Sequence, residues 1–441
     1  MDMSDTACVV PWSNLVIQPD GVANFCCDAP LALSRDGRKL RFGPDSLEDL
    51  WNADELVDTR AAMARGERPA VCELCWRHEE RGVRSRRQVM NGQYAVTGGT
   101  LPLTRLGDVG AETGYRLERR PDWFLLELGG LCNLRCRSCH PLFSSRIAAD
   151  PLHVAWNDSR ELVGDSQGRR APLPVRDAAW FGDVDSMADA VASGAGENAI
   201  LSLIGGEPFL IKQSWQLLEG LVERGVAQNI YVGICTNGQQ RSEKLAELAP
   251  AFRGFALTVS IDGYGPLYEY LRHGGDWPRL VENLDWFAGI EGASVAVTVT
   301  LQNTNALDLP RLLRFLEDRQ LRLNYNVLST PERLGTDNLP PEVRRVAAAR
   351  LREYLALECL PFNAEVIRSY CEHLDSPRSE FDPDLLTEFM TFTNDLDQGR
   401  GESIREAAPE LVGLIEAAGY PWSSDTRHIE LARTPAAVTV A

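Results

Sequence analysis

The sequence predicts an α/β fold built on a parallel sheet, and two features of its 441 residues carry that reading. From Trp123 onward six strand-like apolar runs recur: Phe124–Leu128, Ala199–Ile204, Asn229–Cys235, Phe255–Ile261, Ser294–Thr300 and Arg322–Leu328. Amphipathic helical stretches lie between several of them, Gln213–Gly225 and Trp277–Gly289 being the clearest. Strands that alternate with helices and are themselves buried form parallel sheets.

The elements follow in chain order. Residues 1–95 form a cysteine-rich unit holding Cys8, Cys26, Cys27, Cys72 and Cys75. Within it, Asn14–Ile17 and Val22–Phe25 read as two short strands around the Pro19-Asp20-Gly21 turn. Ser46 is an N-cap for a helix running through Val57, Arg60 and Met63 until Gly66 stops it. A glycine-rich linker, Asn91 to Thr104, leads to the strand–helix region at 120–334, which carries an insertion at about 143–198 predicted to be helix and loop. Residues 335–441 read as helical, with Pro341–Leu355 and Leu385–Leu396 the clearest segments and a frayed tail from Thr434 to Ala441.

Composition narrows the function. No apolar run is long enough to span a bilayer, and the first ten residues do not make a signal peptide, so a cytoplasmic protein is expected. A formal charge of −18 argues against broad nucleic-acid binding, which needs a basic face. The basic stretch Arg77 to Arg87 reads as a solvated helix face paired with Glu79 and Glu80. Eleven cysteines, odd in number and clustered at short spacings, favour metal ligation over disulfides.

The most specific signal is Cys132, Cys136 and Cys139, spaced CxxxCxxC just after the first long strand. Three thiolates from one loop leave one iron of a 4Fe–4S cluster open to an outside ligand. With the Gly205-Gly206-Glu207-Pro208 turn after the second long strand, this resembles the radical S-adenosylmethionine (SAM) superfamily. The resemblance implies a partial (β/α)6 TIM-like barrel, a SAM-binding 4Fe–4S cluster, and SAM cleavage to a 5′-deoxyadenosyl radical that abstracts hydrogen from an unactivated C–H bond. It further implies that the GGEP turn receives the SAM amino group and that Thr236 and Asn237 line the SAM pocket. Ser260 and Asp262 would take the ribose or carboxylate, and Arg272 would pair with a SAM or substrate carboxylate. One position departs from the family pattern: Ser138 stands where an aromatic or apolar adenine contact is usual, with His140 or Phe143 to compensate.

The N-terminal cysteines resemble the SPASM and twitch auxiliary-cluster modules, here placed ahead of the barrel. The resemblance rests on the Cys8-to-Trp12 opening, the Gly21-to-Cys26 spacing and the Cys72-x-x-Cys75 pair, and implies a second 4Fe–4S cluster. Cys26, Cys72 and Cys75 are ligands on that reading, and Cys8 or Cys27 is the fourth. Zinc is the competing metal, since four thiolates also suit a tetrahedral site. Cys235, Cys359 and Cys371 remain outside both sets. Cys235 and Cys371 are candidate hydrogen-atom donors for an epimerase, although buried inert thiols are the commoner case. The expected partners are a small-molecule substrate of sugar, nucleoside or similar type, or a peptide, and an external one-electron reductant of flavodoxin or ferredoxin type. Dehydrogenation, peptide modification and a non-catalytic iron–sulfur or zinc protein are the alternatives.

Overall fold

A computed structural model describes residues 6–29, 32–80, 84–97, 101, 103–157, 178–196, 198–357, 359–376 and 381–433. The strands, in chain order, are β1 (Asn14–Ile17), β2 (Ala23–Asn24), β3 (Ser34–Arg35), β4 (Arg38–Lys39), β5 (Trp123–Glu127), β6 (Arg135–Cys136), β7 (Ala199–Ile204), β8 (Ile230–Thr236), β9 (Gly254–Ser260), β10 (Arg272–His273), β11 (Ala293–Thr298) and β12 (Arg322–Asn324). The chain divides into two compact units. The first comprises Met1–Gly129, Val175–Thr258 and Asn283–Val295; the second comprises Gly130–Pro174, Val259–Glu282 and Ala296–Ala441.

In the first unit the sheet order is β9, β8, β7, β5, β1, β2. β1, β5, β7 and β8 pair in parallel, and β2 closes the edge antiparallel to β1. β7 is buried almost throughout, as a central strand of a parallel sheet must be. The crossover between β5 and β7 contains the helix Val184–Gly194, which lies beside Lys212–Glu223. The second half of the insertion is thus a crossover helix, while residues 158–177 fall outside the described set. The parallel strands and intervening helices fit a partial TIM-like barrel.

Three sequence expectations are revised in this unit. The second expected strand shortens from Val22–Phe25 to Ala23–Asn24, and β1 also pairs with β5, which carries the cysteine-rich segment into the main sheet. The helix begun at Ser46, whose hydroxyl accepts from Asp49 N at 3.1 Å, breaks into Leu47–Trp51 and Asp54–Ala64. The break falls at Asn52, whose side chain exchanges two hydrogen bonds with the Leu117 backbone (2.8 and 3.0 Å). The buried Arg60 guanidinium stacks on Trp51 and donates to the Pro11 and Trp51 carbonyls, fixing the corner. Finally, the first part of the expected linker is helical, Arg86–Val96, started by a Ser85–Gln88 capping box. Tyr94 anchors it by stacking on Trp123 and donating to Asp122 at 3.0 Å.

In the second unit β6 pairs antiparallel with β10, and β11 pairs in parallel with β12. β12 stops at Asn324, short of the expected Leu328, and the remainder meets the chain after β11 through the Leu301–Val327 bridge and an Asn326–Thr300 side-chain hydrogen bond. The C-terminal region is helical as expected: Pro341–Leu355 has the expected bounds, and Leu385–Leu396 lies inside the longer helix Pro383–Arg400. Pro361–Leu374 packs against the first of these. The tail from Thr434 lies outside the described residues. No described helix is long and apolar enough to cross a membrane.

Candidate functional site

Cys132, Cys136 and Cys139 lie on one loop of the second unit, each half-buried and unbridged. The loop is shaped by short polar side chains: Ser145 Oγ bonds both the Cys132 amide and its carbonyl (3.4 and 3.3 Å), and Ser144 Oγ donates to the Leu134 carbonyl at 2.7 Å. Burial, followed by the neighbouring Cys136 and Cys132 thiols, pushes the Cys139 thiol far above its ordinary range. Neighbouring buried thiols resist ionising together unless a cation compensates them. His140 turns inward, its Nδ1 accepting from Leu142 N at 3.1 Å, and burial lowers its pKa to about 4.

Around this loop stands a charged frame. β10 places Arg272 opposite Cys136 and His273 opposite Arg135. Arg272 donates to Asp262 at 2.8 Å. The Asp262 carboxylate also accepts from Thr300 N at 2.9 Å, so both expected SAM contacts are engaged with protein partners. Arg137, between two of the cysteines, points away from them. It bonds Asp397 (2.5 Å), Glu402 (2.6 Å) and the Tyr270 carbonyl, with its guanidinium 3.7 Å from the Tyr270 ring centre. Ser260 is half-buried at the end of β9.

In the first unit the GGEP turn follows β7. Gly205 and Gly206 both have positive φ, and a Cβ on Gly205 would stand 3.3 Å from the Leu128 amide, so the turn passes tightly over the end of β5. Glu207 is fully buried. Its carboxylate accepts from Thr236 Oγ1 (2.7 Å), Asn237 N (2.7 Å) and Phe209 N (3.1 Å). Three of the candidate residues are therefore brought together directly, with Glu207 clamping the end of β8 to the turn.

Cys235 is exposed on the same strand end. Glu127 pairs with Ile204, and one step beyond the Leu203–Ile234 pair Ile204 stands opposite Cys235. Residues opposite one another in register share a face, so Glu127 and Cys235 point the same way from the C-terminal edge of the sheet. The preceding row, Leu126, Leu203 and Ile234, is buried on the other face. Glu127 was not singled out from the sequence, though a carboxylate ending a barrel strand is the available signal. Burial, and then the Asp20 charge, raises its pKa to about 7. Cys371 lies elsewhere, buried on the helix Pro361–Leu374 with its sulfur 4.0 Å from the Ala348 carbonyl.

The N-terminal cysteines resolve into two groups. Cys8, Cys26, Cys72 and Cys75 line one cavity together with Arg86 and Arg87, whereas Cys27 is exposed and its thiol turns to Asp28 at 3.6 Å. Burial pushes Cys72 up to about 12, with Cys75 adding to it. Among the described residues no three cysteine, histidine or acidic side chains form a set for a single metal ion. The basic stretch is only partly solvated: Arg87 is buried, pairs with Glu79 at 2.7 Å and donates to the Ala7 carbonyl.

Comparison with known proteins agrees with these features. Residues 126–316 match the radical SAM superfamily, and residues 8–76 match the SPASM iron–sulfur cluster-binding domain. GTP 3′,8-cyclases of Rhizobium etli and Rhizobium leguminosarum bv. trifolii are each 29% identical over 155 residues, which is 34% of this chain and 43% of theirs. The chain thus spans under half the length of these curated relatives. The solved structures it matches include anSMEcpe with bound AdoMet (16% identity, TM-score 0.37, covering 54% of this chain and 62% of that one). Streptococcus suis SuiB bound to its precursor peptide SuiA is another (13%, TM-score 0.34, covering 85% and 72%). With cysteine sets suited to iron–sulfur ligation in both matched regions, the chain belongs to the radical SAM superfamily, carries a SPASM-type auxiliary module ahead of its barrel, and uses SAM and 4Fe–4S clusters as cofactors.

Proposed function

We propose that this enzyme removes a hydrogen atom from an unactivated C–H bond of a small molecule of sugar, nucleoside or similar type and returns one from Cys235, inverting the carbon. Cys132, Cys136 and Cys139 hold the SAM cluster in this reading, and Cys8, Cys26, Cys72 and Cys75 the auxiliary one. When bound, the SAM cluster and SAM supply the electron and the 5′-deoxyadenosyl radical. The observation that carries the donor assignment is the position of Cys235: exposed, outside both cluster sets, and on the C-terminal edge where barrel chemistry gathers. Its S–H bond breaks homolytically as the new C–H bond forms. The sulfur-centred radical left behind then takes one electron and one proton, from an external one-electron reductant and from solvent.

A second reading, oxidation of the substrate, is favoured by the auxiliary cavity. Four protein thiols leave a 4Fe–4S cluster no open iron, which suits electron transfer better than substrate ligation. The cyclase relatives are named for action on GTP, which keeps a nucleotide among the substrates worth screening.

One experiment separates these readings. Reconstituted enzyme is screened anaerobically for 5′-deoxyadenosine release in deuterated water. Wild type should incorporate one solvent deuterium at the inverted carbon, and Cys235→Ala should still release deoxyadenosine but lose both inversion and label. Product without solvent deuterium, unchanged in Cys235→Ala, would establish oxidation instead. The Cys132→Ala/Cys136→Ala/Cys139→Ala variant should release no deoxyadenosine at all.

A further inference from the structure

We propose that Arg272 is a positioning residue that sets the reduction potential of the SAM cluster through the sulfur of Cys136. This rests on the assignment of Cys136 as a cluster ligand. The register of β6 and β10 places Arg272 directly across from Cys136, and its Nη1 points at the Cys136 sulfur from 3.9 Å. Nη2 is held by Asp262 at 2.8 Å, with the Arg272 side chain 11% exposed and that of Asp262 2%. Nε is buried as well and has no hydrogen-bond partner among the described residues. Asp262 is itself pinned by Thr300 N, so the guanidinium cannot swing away without unmaking a buried ion pair. The guanidinium therefore sits between its counter-ion and the Cys136 sulfur, with Nη2 on Asp262 and Nη1 turned to the sulfur.

Hydrogen bonds to cluster sulfurs and the local net charge are among the terms that set iron–sulfur potentials. Reduction adds a negative charge to the cluster, and a fixed cation beside one of its sulfurs stabilises that state more than the oxidised one. Arg272 accordingly raises the potential and makes the cluster easier to reduce. The sequence pointed instead to a SAM or substrate carboxylate as the partner of Arg272; here its Nη2 is taken by Asp262.

The test is an EPR-monitored redox titration of the full-length reconstituted protein, following the signal that changes on adding SAM. In Arg272→Gln the ratio of reduced to oxidised cluster at a fixed potential should fall about tenfold, equivalent to about 59 mV for one electron. In Arg272→Lys, which keeps the charge, most of that loss should be recovered. Iron content should stay near the wild-type value in at least the lysine variant. An unchanged ratio in Arg272→Gln with the cluster retained would overturn the proposal. So would loss of the cluster in both variants, which would make Arg272 a structural clip only. Persistence of the SAM-responsive signal in the Cys132→Ala/Cys136→Ala/Cys139→Ala variant would instead overturn the ligand assignment, independently of Arg272.

Discussion

Glu127 is a carboxyl group that its surroundings hold well above its ordinary range. A carboxyl group ordinarily titrates near 4.5, and here burial and the Asp20 charge raise it to about 7. The sign of the effect on stability follows from linkage. Between about pH 4.5 and 7 the unfolded chain has given up this proton while the folded chain keeps it. The group's contribution thus becomes less favourable as pH rises through that window, and the loss is complete above the folded pKa. Replacement by Gln removes the titration. The Glu127→Gln protein should gain stability over wild type on going from pH 5 to pH 8, measured by anaerobic urea unfolding at each pH. Equal differences at both pH values would show that the carboxyl is not perturbed. At this scale the CxxxCxxC spacing and the Gly205–Pro208 run stood out in the sequence, while the roles proposed for them came from the resemblance they carry. Glu127 did not stand out, because only strand register reveals which face a terminal residue takes.

Among the elements, the β6–β10 ribbon ties the Cys132–Cys139 loop to Arg272 and His273. Two residues are its whole length, and pairing that short is not stable by itself. It is held from outside by the segment Asp397–Glu402: Arg137 bonds both acids, and His273 bonds Glu402 at 2.5 Å. With its side chain 4% exposed, Arg137 is a fully desolvated partner, and removing one member of such a pair leaves a buried charge uncompensated. Arg137→Met should therefore destabilise the protein by about 3 kcal/mol, read as a lowered thermal midpoint, with weaker retention of the SAM cluster. A midpoint within a degree of wild type would show the network to be dispensable. The sequence displayed Arg137 among the cysteines but not its role, because its partners lie 260 and 265 residues away. The helices of the C-terminal region were readable from their periodicity; what they brace was not.

For the whole molecule, two separate cysteine sets lie in two units of the chain. If each holds a four-iron cluster, the reconstituted protein should bind about eight irons. Cys132→Ala/Cys136→Ala/Cys139→Ala should keep about half. Cys8→Ala should lose auxiliary iron, whereas Cys27→Ala, whose thiol lies outside the cavity, should keep the full complement. Loss with Cys27→Ala and retention with Cys8→Ala would reverse the choice of fourth ligand. The parallel α/β architecture was legible because the longer sheet strands, β5, β7, β8, β9 and β11, are largely apolar. The alliance of the N-terminal hairpin with the main sheet was not, since four residues of β1 carry no mark of the strand they will join.

That alliance changes what kind of accessory the cysteine-rich segment is. Because β1 lies between β2 and β5 and pairs with β5 along four residues, deleting the segment would strip β5 of one whole ladder of hydrogen bonds. An apolar strand edge would be opened to other chains. A barrel trimmed of its first hundred residues should accumulate as aggregate rather than as a leaner enzyme. The module is welded in like a stave, so neither recombination nor protein engineering can transplant it as a cassette without also donating an edge strand to the host.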